Sequence, residues 1–175
     1  KKSSSPFRET DYNPELFYRW TPDAQRYGGW GADFGLEHES NGQNIPLSRS
    51  WNRLYIAPFQ ARGPQLLYFK AWVRLPEKAK TTADDVEGDD NPDIERFYGH
   101  AELRAQRQFS GTQQIAAMLR GNLATHKGAL SLNYSFAGES GSLFYAVNLW
   151  HGYGESLIDY NRPVTRLSIG IMLAR

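Results

Sequence analysis

Hydrophobic and polar residues alternate with period two along most of this chain. Between positions 30 and 40 the odd residues are glycine or acidic. The even residues are Trp30, Ala32, Phe34, Leu36, His38 and Ser40. Successive side chains of a β-strand point to opposite faces, so this segment is predicted to be a strand with one apolar face. His38 and Ser40 extend that apolar face, which is an unusual place for an imidazole and a hydroxyl.

Similar alternation predicts further strands. It is clean at 67–75, 97–105, 115–123 and 167–173, and the segments 129–136 and 143–153 are rich in strand-forming residues. Turn residues such as Arg62-Gly63-Pro64, Lys127-Gly128 and Asn161-Arg162-Pro163 separate them. The pattern predicts about nine strands, joined mostly as an antiparallel meander.

Alternation alone does not tell which face of the sheet meets water. A soluble barrel or sandwich buries its apolar face, whereas an outer-membrane barrel presents that face to lipid. Strands of about ten residues suit a tilted membrane crossing. Aromatic residues near the predicted strand ends, among them Trp20, Trp30, Trp51, Trp72 and Tyr98, are typical of interfacial girdles. Both architectures remain open at this point.

Composition narrows the class of protein. The chain has 175 residues, 40% of them hydrophobic, with a formal net charge of +1 and no cysteine. This balance predicts one folded domain over residues 1–175, argues against nucleic acid as the main partner and excludes a disulfide framework. The chain begins at Lys1 without an initiator methionine or a signal peptide. We therefore interpret it as a piece of a longer product.

A candidate catalytic triad follows from the hairpin geometry. If the chain folds back symmetrically about Ile45-Pro46, position 38 lies opposite position 52, and directly opposed side chains are about 5 Å apart at Cβ. Asn52 then shares the apolar face with His38 and Ser40. A hydroxyl nucleophile, an imidazole base and an amide that orients the ring form a Ser-His-Asn arrangement. The alternative interpretation is that these are ordinary polar residues near a loop.

The loop between these strands offers further candidate chemistry. Gly42 would let a backbone N–H approach an oxyanion closely. Residues 41–50 are rich in amide, hydroxyl and carbonyl oxygens that suit a hard cation such as calcium, although a solvated turn fits the composition equally. The acidic stretch 84–93 lacks EF-hand spacing and is interpreted as a solvated loop. His100, His126 and His151 lack the spacing of a zinc site.

Several motifs resemble those of one known family, outer-membrane phospholipase A. They are His38-Glu39-Ser40-Asn41-Gly42, the run from Ser48 to Tyr55, Ser5 to Thr10, Asp89 to Ile94, and Gly152 to Asn161. The resemblance extends over nearly all of the chain. It implies a twelve-stranded transmembrane barrel in the outer membrane of a Gram-negative bacterium, with the first strands lying upstream of this segment.

The resemblance also implies a function. The family hydrolyses acyl ester bonds of phospholipids, depends on calcium and is active as a homodimer. Ser40 would be the nucleophile, His38 the base and Asn52 the orienting residue, and the Gly42 amide would act with a calcium-bound water at the oxyanion. The implied calcium ligands are the Gln43 carbonyl, the Ser48 hydroxyl and a carbonyl near Ser4 of a second subunit, with Asp90 at a second site.

Two departures and two rival functions stand beside this interpretation. Gln43 replaces a basic residue, and Ile45 stands where the second calcium site of the family has an aspartate. A structural or pore-forming barrel would show the same alternation without a use for the triad. A lipid A deacylase could use a similar His-x-Ser strand on a different lipid.

Overall fold

The computed structural model describes residues 8–82, 85–138 and 143–173. Its nine strands form one sheet in which each strand pairs antiparallel with the next along the chain. The strands are β1 (Glu15–Trp20), β2 (Trp30–Ser40), β3 (Ser50–Arg62), β4 (Gln65–Arg74), β5 (Ala101–Gln108), β6 (Gln113–Asn122), β7 (Lys127–Ala137), β8 (Phe144–Gly152) and β9 (Val164–Met172). The predicted meander is confirmed. In the part of the chain that the structure describes, β1 and β9 do not pair, so the sheet is open.

One predicted strand begins later than expected. Residues 97–105 alternate like a strand, yet Phe97 and Tyr98 belong to the short helix α2 (Glu95–Tyr98), and β5 begins at Ala101. Both aromatic side chains are buried, so burial of neighbouring residues on a helical turn replaces the expected alternation. A second short helix, α1 (Ala24–Tyr27), connects β1 to β2. No helix of the described segments is long and apolar enough to span a membrane.

The polarity of the sheet is the reverse of that in a soluble protein. Leu36 and Leu54 are 47% and 49% exposed on the outer face, while Asp33, Glu37 and Arg53 are 2%, 6% and 5% exposed on the inner face. Water would solvate the charged groups and exclude the leucines, so this arrangement suits a hydrocarbon environment outside the sheet. The soluble sandwich considered above does not fit this distribution.

The inner face is closed at one end by an aromatic cluster. Its buried members are Trp51, Tyr55, Ala57, Trp72, Ile94, Phe97, Tyr98, Leu157 and Tyr160. Trp51 packs edge-to-face on Trp72 and on Tyr98, with ring centroids 6.3 and 5.4 Å apart. The expected interfacial position is therefore wrong for Trp51, Trp72 and Tyr98, which pack inside the sheet. Trp20 and Trp30 are 45% and 49% exposed, as that expectation requires.

The two longest connections of the meander, 75–100 and 153–163, lie at the same end of the sheet. Segments 41–49, 75–100 and 153–163 lie at the end of the sheet where β2 finishes and β3 begins. The connections at the opposite end include the two-residue turn between β3 and β4. The C-terminal end of β2 and the start of β3 therefore lie among the longest loops of the chain.

Candidate active site

The β2–β3 hairpin brings the predicted residues to one place. His38 pairs with Asn52 and Ser40 pairs with Ser50 in the register of the two strands. The predicted opposition of positions 38 and 52 is confirmed. All three triad candidates lie at even positions, on the same outer face as Leu36 and Leu54, and all three are half-buried.

One side-chain hydrogen bond joins two of the three candidates. His38 Nδ1 and Asn52 Oδ1 are 2.9 Å apart. An amide oxygen only accepts, so this contact requires the proton of the neutral ring on Nδ1 and leaves Nε2 as an acceptor. Among the described residues the Ser40 hydroxyl makes no side-chain hydrogen bond. In enzymes without bound substrate, the hydrogen bond between a nucleophile and its general base is often long, and it shortens when substrate binds.

The N-terminal segment fixes the backbone at Ser40. The Tyr12 amide donates to the Ser40 carbonyl over 2.7 Å, and the Ser40 amide donates to the Tyr12 carbonyl over 2.9 Å. The His38 amide donates to the Pro14 carbonyl over 3.0 Å. The end of β2 is therefore paired on both sides, which limits the movement of the backbone that carries His38 and Ser40.

Gly42 follows the nucleophile candidate in a left-handed conformation, with φ of +61°. A Cβ at this position would approach the Tyr12 ring to 3.0 Å, so a side chain here would be strained and crowded. The Gly42 amide has no hydrogen-bond partner within the described ranges. A free amide next to the nucleophile is the group that an oxyanion site requires.

Asn41 supports this loop from inside, a role that the sequence did not reveal. Its side chain is 1% exposed, and its Oδ1 accepts from the Arg49 amide at 2.9 Å and the Gln43 amide at 3.3 Å. Its Nδ2 donates to the Leu47 carbonyl at 2.8 Å and to Glu9 at 3.2 Å. A polar residue at the end of a strand, before a glycine, is the only signal of this role in the sequence.

Three of the predicted metal ligands, Gln43, Ser48 and Asp90, lie in connections at the same end of the sheet. The Ser48 hydroxyl donates to Asp90 Oδ2 over 2.6 Å, and Lys80 forms an ion pair with the other carboxylate oxygen of Asp90. The Gln43 carbonyl lies in the loop that Asn41 holds, and Ser4 lies outside the described residues. Hydroxyl, carbonyl and carboxylate oxygens fit a hard cation such as calcium. The described residues contain no cluster of three acidic, histidine or cysteine side chains.

The second half of the acidic stretch 84–93 is not the solvated loop that was expected. Asp89 forms an ion pair with Arg74 at 2.6 Å, and Asp93 accepts a hydrogen bond from Tyr160. Asn91 is fully buried, and its Oδ1 accepts from the Ser50 amide at 3.1 Å. This half of the stretch packs against the start of β3 and helps to hold the β2–β3 hairpin.

A second contact of Asn52 was also absent from the sequence analysis. Asn52 Nδ2 donates to Glu77 Oε1 over 3.3 Å. Burial, with a further contribution from Asp89, raises the pKa of the Glu77 carboxyl, and Arg74 opposes the rise. Asn52 thus lies between the histidine ring and a carboxylate from the β4–β5 connection.

Comparison with known proteins places this geometry in a family. A sequence model of the Phospholipase A1 family matches residues 1–173. Phospholipase A1 of Escherichia coli K12 is 37% identical over 175 residues, which cover 98% of this chain and 56% of that protein. The chain belongs to the phospholipase A1 family.

Two solved structures of the family share the fold. The Salmonella typhi outer membrane phospholipase dimer with bound calcium matches with a TM-score of 0.81 and 36% identity, over 98% of this chain and 63% of the other. Outer membrane phospholipase A of Escherichia coli, with an active-site asparagine replaced by alanine, gives 0.82 and 36% over 98% and 63%. This chain thus has the antiparallel strand meander of an outer-membrane phospholipase, and it spans about half the length of its curated relative.

Proposed function

We propose that this chain carries the active-site hairpin of an outer-membrane phospholipase that hydrolyses acyl ester bonds with a Ser40-His38-Asn52 triad. The observation that carries this proposal is the 2.9 Å hydrogen bond between His38 Nδ1 and Asn52 Oδ1 on the outer, apolar face of the sheet. An imidazole whose Nδ1 proton is held by an amide leaves Nε2 unprotonated, which is the state that a general base beside a hydroxyl requires.

The surface around the triad suits an acyl substrate. An apolar groove of about 770 Å³ extends along the outer face from Leu36 and Leu54, each two residues from a triad member. Its other outward-facing lining residues include Leu16, Phe34, Ile56 and Val73. A lipid in the bilayer could place its acyl chains against this groove with its ester group near Ser40. The substrate would then not need to leave the membrane.

The proposed reaction uses ordinary acyl transfer. His38 Nε2 accepts the proton of the Ser40 hydroxyl as the oxygen attacks the ester carbonyl, and the Gly42 amide donates to the developing oxyanion. The protonated ring then gives its proton to the leaving alcohol. Water, activated by the same histidine, attacks the acyl-serine and releases the fatty acid.

We propose calcium as the cofactor. Ser48 and the Gln43 carbonyl would hold the ion, together with a carbonyl near Ser4 from a second copy of the chain, and Asp90 would contribute at a second position. Bound calcium supplies Lewis-acid stabilisation of negative charge on the substrate. A ligand set shared between two copies would couple calcium binding to the formation of a homodimer. The calcium-bound dimer of the Salmonella typhi relative supports this assignment.

Phospholipid hydrolysis by the intact protein in detergent tests this function. Ser40→Ala should reduce kcat by about 10³-fold or more while leaving the strand content by circular dichroism unchanged. Ser50→Ala removes a hydroxyl directly opposite Ser40 on the same face and should retain activity. A calcium chelator should abolish turnover by the unmodified protein.

A serine-reactive phosphonate distinguishes the enzyme from its rivals. A pore or structural barrel should not be labelled at Ser40, and a lipid A deacylase should be labelled but prefer a different lipid. Full phospholipase activity in Ser40→Ala would refute the nucleophile. Activity that is unaffected by chelation would refute the cofactor.

A further inference from the structure

The Asn52 carboxamide is bonded at both ends. Its Oδ1 meets His38 Nδ1 at 2.9 Å, and its Nδ2 donates to Glu77 Oε1 at 3.3 Å. Glu77 lies in the connection between β4 and β5, outside the hairpin that carries the triad. The three side chains therefore form a row from carboxylate through amide to imidazole.

The backbone gives Glu77 a defined position over Asn52. The Leu75 amide donates to the Asn52 carbonyl over 2.8 Å, which extends the β3–β4 pairing one step beyond the end of β4. Pro76 follows, and its ring restricts φ to about −65°. Glu77 is thus two residues from a direct backbone contact with the residue that its side chain meets.

A carboxylate in this position resolves an ambiguity that an amide alone leaves open. An asparagine side chain can present either its oxygen or its NH₂ group to a neighbouring ring, whereas an ionised carboxylate only accepts hydrogen bonds. Glu77 therefore requires the Asn52 NH₂ group to face it. The amide oxygen must then face His38, and this oxygen in turn requires the ring proton on Nδ1.

The negative charge of Glu77 also strengthens the hydrogen bond between Asn52 and His38. A hydrogen bond from the amide to a carboxylate polarises the amide and makes its oxygen a stronger acceptor. Asparagine as the third triad member stabilises a protonated histidine less than aspartate would, because it carries no charge. Around Glu77 the other charged groups already have partners, since Arg74 pairs with Asp89 at 2.6 Å and Asp90 pairs with Lys80.

We propose that Glu77 is a positioning residue for the hydrolytic reaction, which fixes the Asn52 amide orientation and through it the tautomer of His38. This inference rests on the triad proposed above. The Ser-His-Asn arrangement lacks the negative charge that an aspartate would place beside the histidine. Glu77 supplies part of that charge from behind Asn52.

The test compares Glu77→Gln with Glu87→Gln in the intact protein. Glutamine has nearly the same shape but can donate to Asn52 Oδ1 as well as accept, so the amide orientation is no longer determined. We expect kcat for phospholipid hydrolysis to fall about tenfold, the effect of one charge-assisted hydrogen bond acting indirectly, with KM within about twofold. Glu87 is an exposed carboxylate in the same connection, and its substitution should change neither constant.

Nitrogen NMR of the histidine rings gives a readout that a purely structural role would not change. The chain has four histidines, so labelling with ¹⁵N-histidine yields few signals. His38 should be protonated at Nδ1 in the unmodified protein and in Glu87→Gln, and should become a mixture of tautomers in Glu77→Gln. An unchanged tautomer together with unchanged kcat would overturn the proposal.

The Asn52→Ala background separates indirect from direct action. If Glu77 acts through the amide, Glu77→Gln should have less than about a twofold effect on kcat when Asn52 is already alanine. A tenfold loss in both backgrounds would show that Glu77 acts independently and would also overturn the proposal. Ser40→Ala serves as the reference. Activity in that variant would refute the triad itself. If Ser40→Ala is inactive and Glu77→Gln is unaffected, only the role of Glu77 is refuted.

Discussion

Adjacent residues of the β2–β3 hairpin form two very different environments. On the outer face His38 and Asn52 share one hydrogen bond of 2.9 Å and are half-buried. One position earlier on β2, the inner face pairs Glu37 with Arg53 at 2.9 Å, and Arg53 also bonds Glu39 at 2.7 Å. The inner groups are almost fully buried, and the Arg53 guanidinium stacks 3.9 Å above the Trp51 ring.

The difference shows how one hairpin separates stability from chemistry. On the inner face Glu37 and Arg53 each have two charged partners. Arg53 pairs with Glu37 and Glu39, and Glu37 also bonds Lys70 at 2.7 Å. On the outer face one side-chain hydrogen bond, between Nδ1 and Asn52, orients the His38 ring, which leaves Nε2 available to accept a proton. Because the two rows alternate along the same strands, the register set by the inner ion pairs also sets the opposition of His38 and Asn52.

Removal of the inner cation should have the largest effect on stability. Among the described residues, Arg53→Met removes the only cation paired with Glu39 and one of the two cations paired with Glu37. Glu39 keeps a hydrogen bond from Trp51 Nε1. We expect the free energy of unfolding to fall by about 3–5 kcal/mol, because these carboxylates are buried. Urea or guanidinium unfolding in detergent micelles, followed by tryptophan fluorescence, measures this change. Activity should fall as the hairpin loses its register.

Arg166→Met provides the matched control for that loss. Arg166 pairs with Glu155 at 2.9 Å, but its side chain is 62% exposed. An exposed pair contributes about 0–1 kcal/mol, so stability should change little. If Arg53→Met and Arg166→Met lost equal amounts of unfolding free energy, the buried ion pairs of the inner face would not stabilise the protein more than an exposed pair.

Substitution on the outer row should instead reduce turnover with little effect on stability. Asn52→Ala removes the acceptor of His38 Nδ1, and we expect kcat to fall about 10- to 100-fold, less than the loss seen when a charged orienting carboxylate is removed. The free energy of unfolding should fall by about 1–2 kcal/mol, because the Asn52 amide makes two hydrogen bonds with a net contribution of about 1 kcal/mol each. Steady-state hydrolysis and unfolding measured on the same preparation give both values.

Asn148→Ala is the control for the chemistry of the amide. Asn148 lies on β8 and donates to Ser131 over 3.2 Å, away from the candidate site. Its removal should leave kcat unchanged. If Asn52→Ala lost much stability without a specific loss of turnover, the contact between His38 and Asn52 on the outer face would be structural.

The sequence predicted the hairpin well because the two relevant rules are local. Alternation assigns faces within a strand, and a symmetric fold about Ile45-Pro46 assigns the partner of His38. Alternation does not distinguish an apolar face in lipid from one in a core. The pattern alone therefore left the water-facing side open, and the burial of residues such as Asp33 and Glu37 identifies it. Phe97 and Tyr98 were misassigned because both are buried on a helical turn, where period two no longer applies.

Loop contacts could not be predicted for a different reason. Asn41 bonds Glu9 across 32 positions, and Asn52 bonds Glu77 across 25. Neither separation matches the repeat of a helix or the pairing of a hairpin. Each contact therefore depends on how a whole loop folds, which sequence patterns do not predict. The acidic stretch was interpreted as solvated for the same reason, although Asp89 lies against Arg74 from a neighbouring strand.

The smallest expected effect concerns the N-terminal segment that pairs with Ser40. Burial and the nearby Glu9 raise the pKa of Asp11 from 3.8 to about 6. A raised carboxyl pKa in the folded state means that this group favours folding below about pH 4 and disfavours it once the pH rises through 6. Asp11→Asn should therefore raise the unfolding midpoint at pH 8 and leave it nearly unchanged at pH 4. Since Asp11 also keeps substantial contact with solvent, which screens its charge, the change in the unfolding midpoint should be small.

Asp85→Asn should shift the midpoint in the opposite direction at pH 8. Hydrogen bonds from the Thr82 amide and hydroxyl, and from the Thr81 amide, lower the pKa of Asp85, so its charge favours the folded state above its ordinary pKa. Losing that charge should lower the unfolding midpoint at pH 8. Midpoints that move together in the two variants would show that the net charge of the loops, rather than the local contacts of each carboxylate, governs the pH dependence. The surroundings of Asp11 would then have no specific effect on the stability of the N-terminal segment that pairs with Ser40.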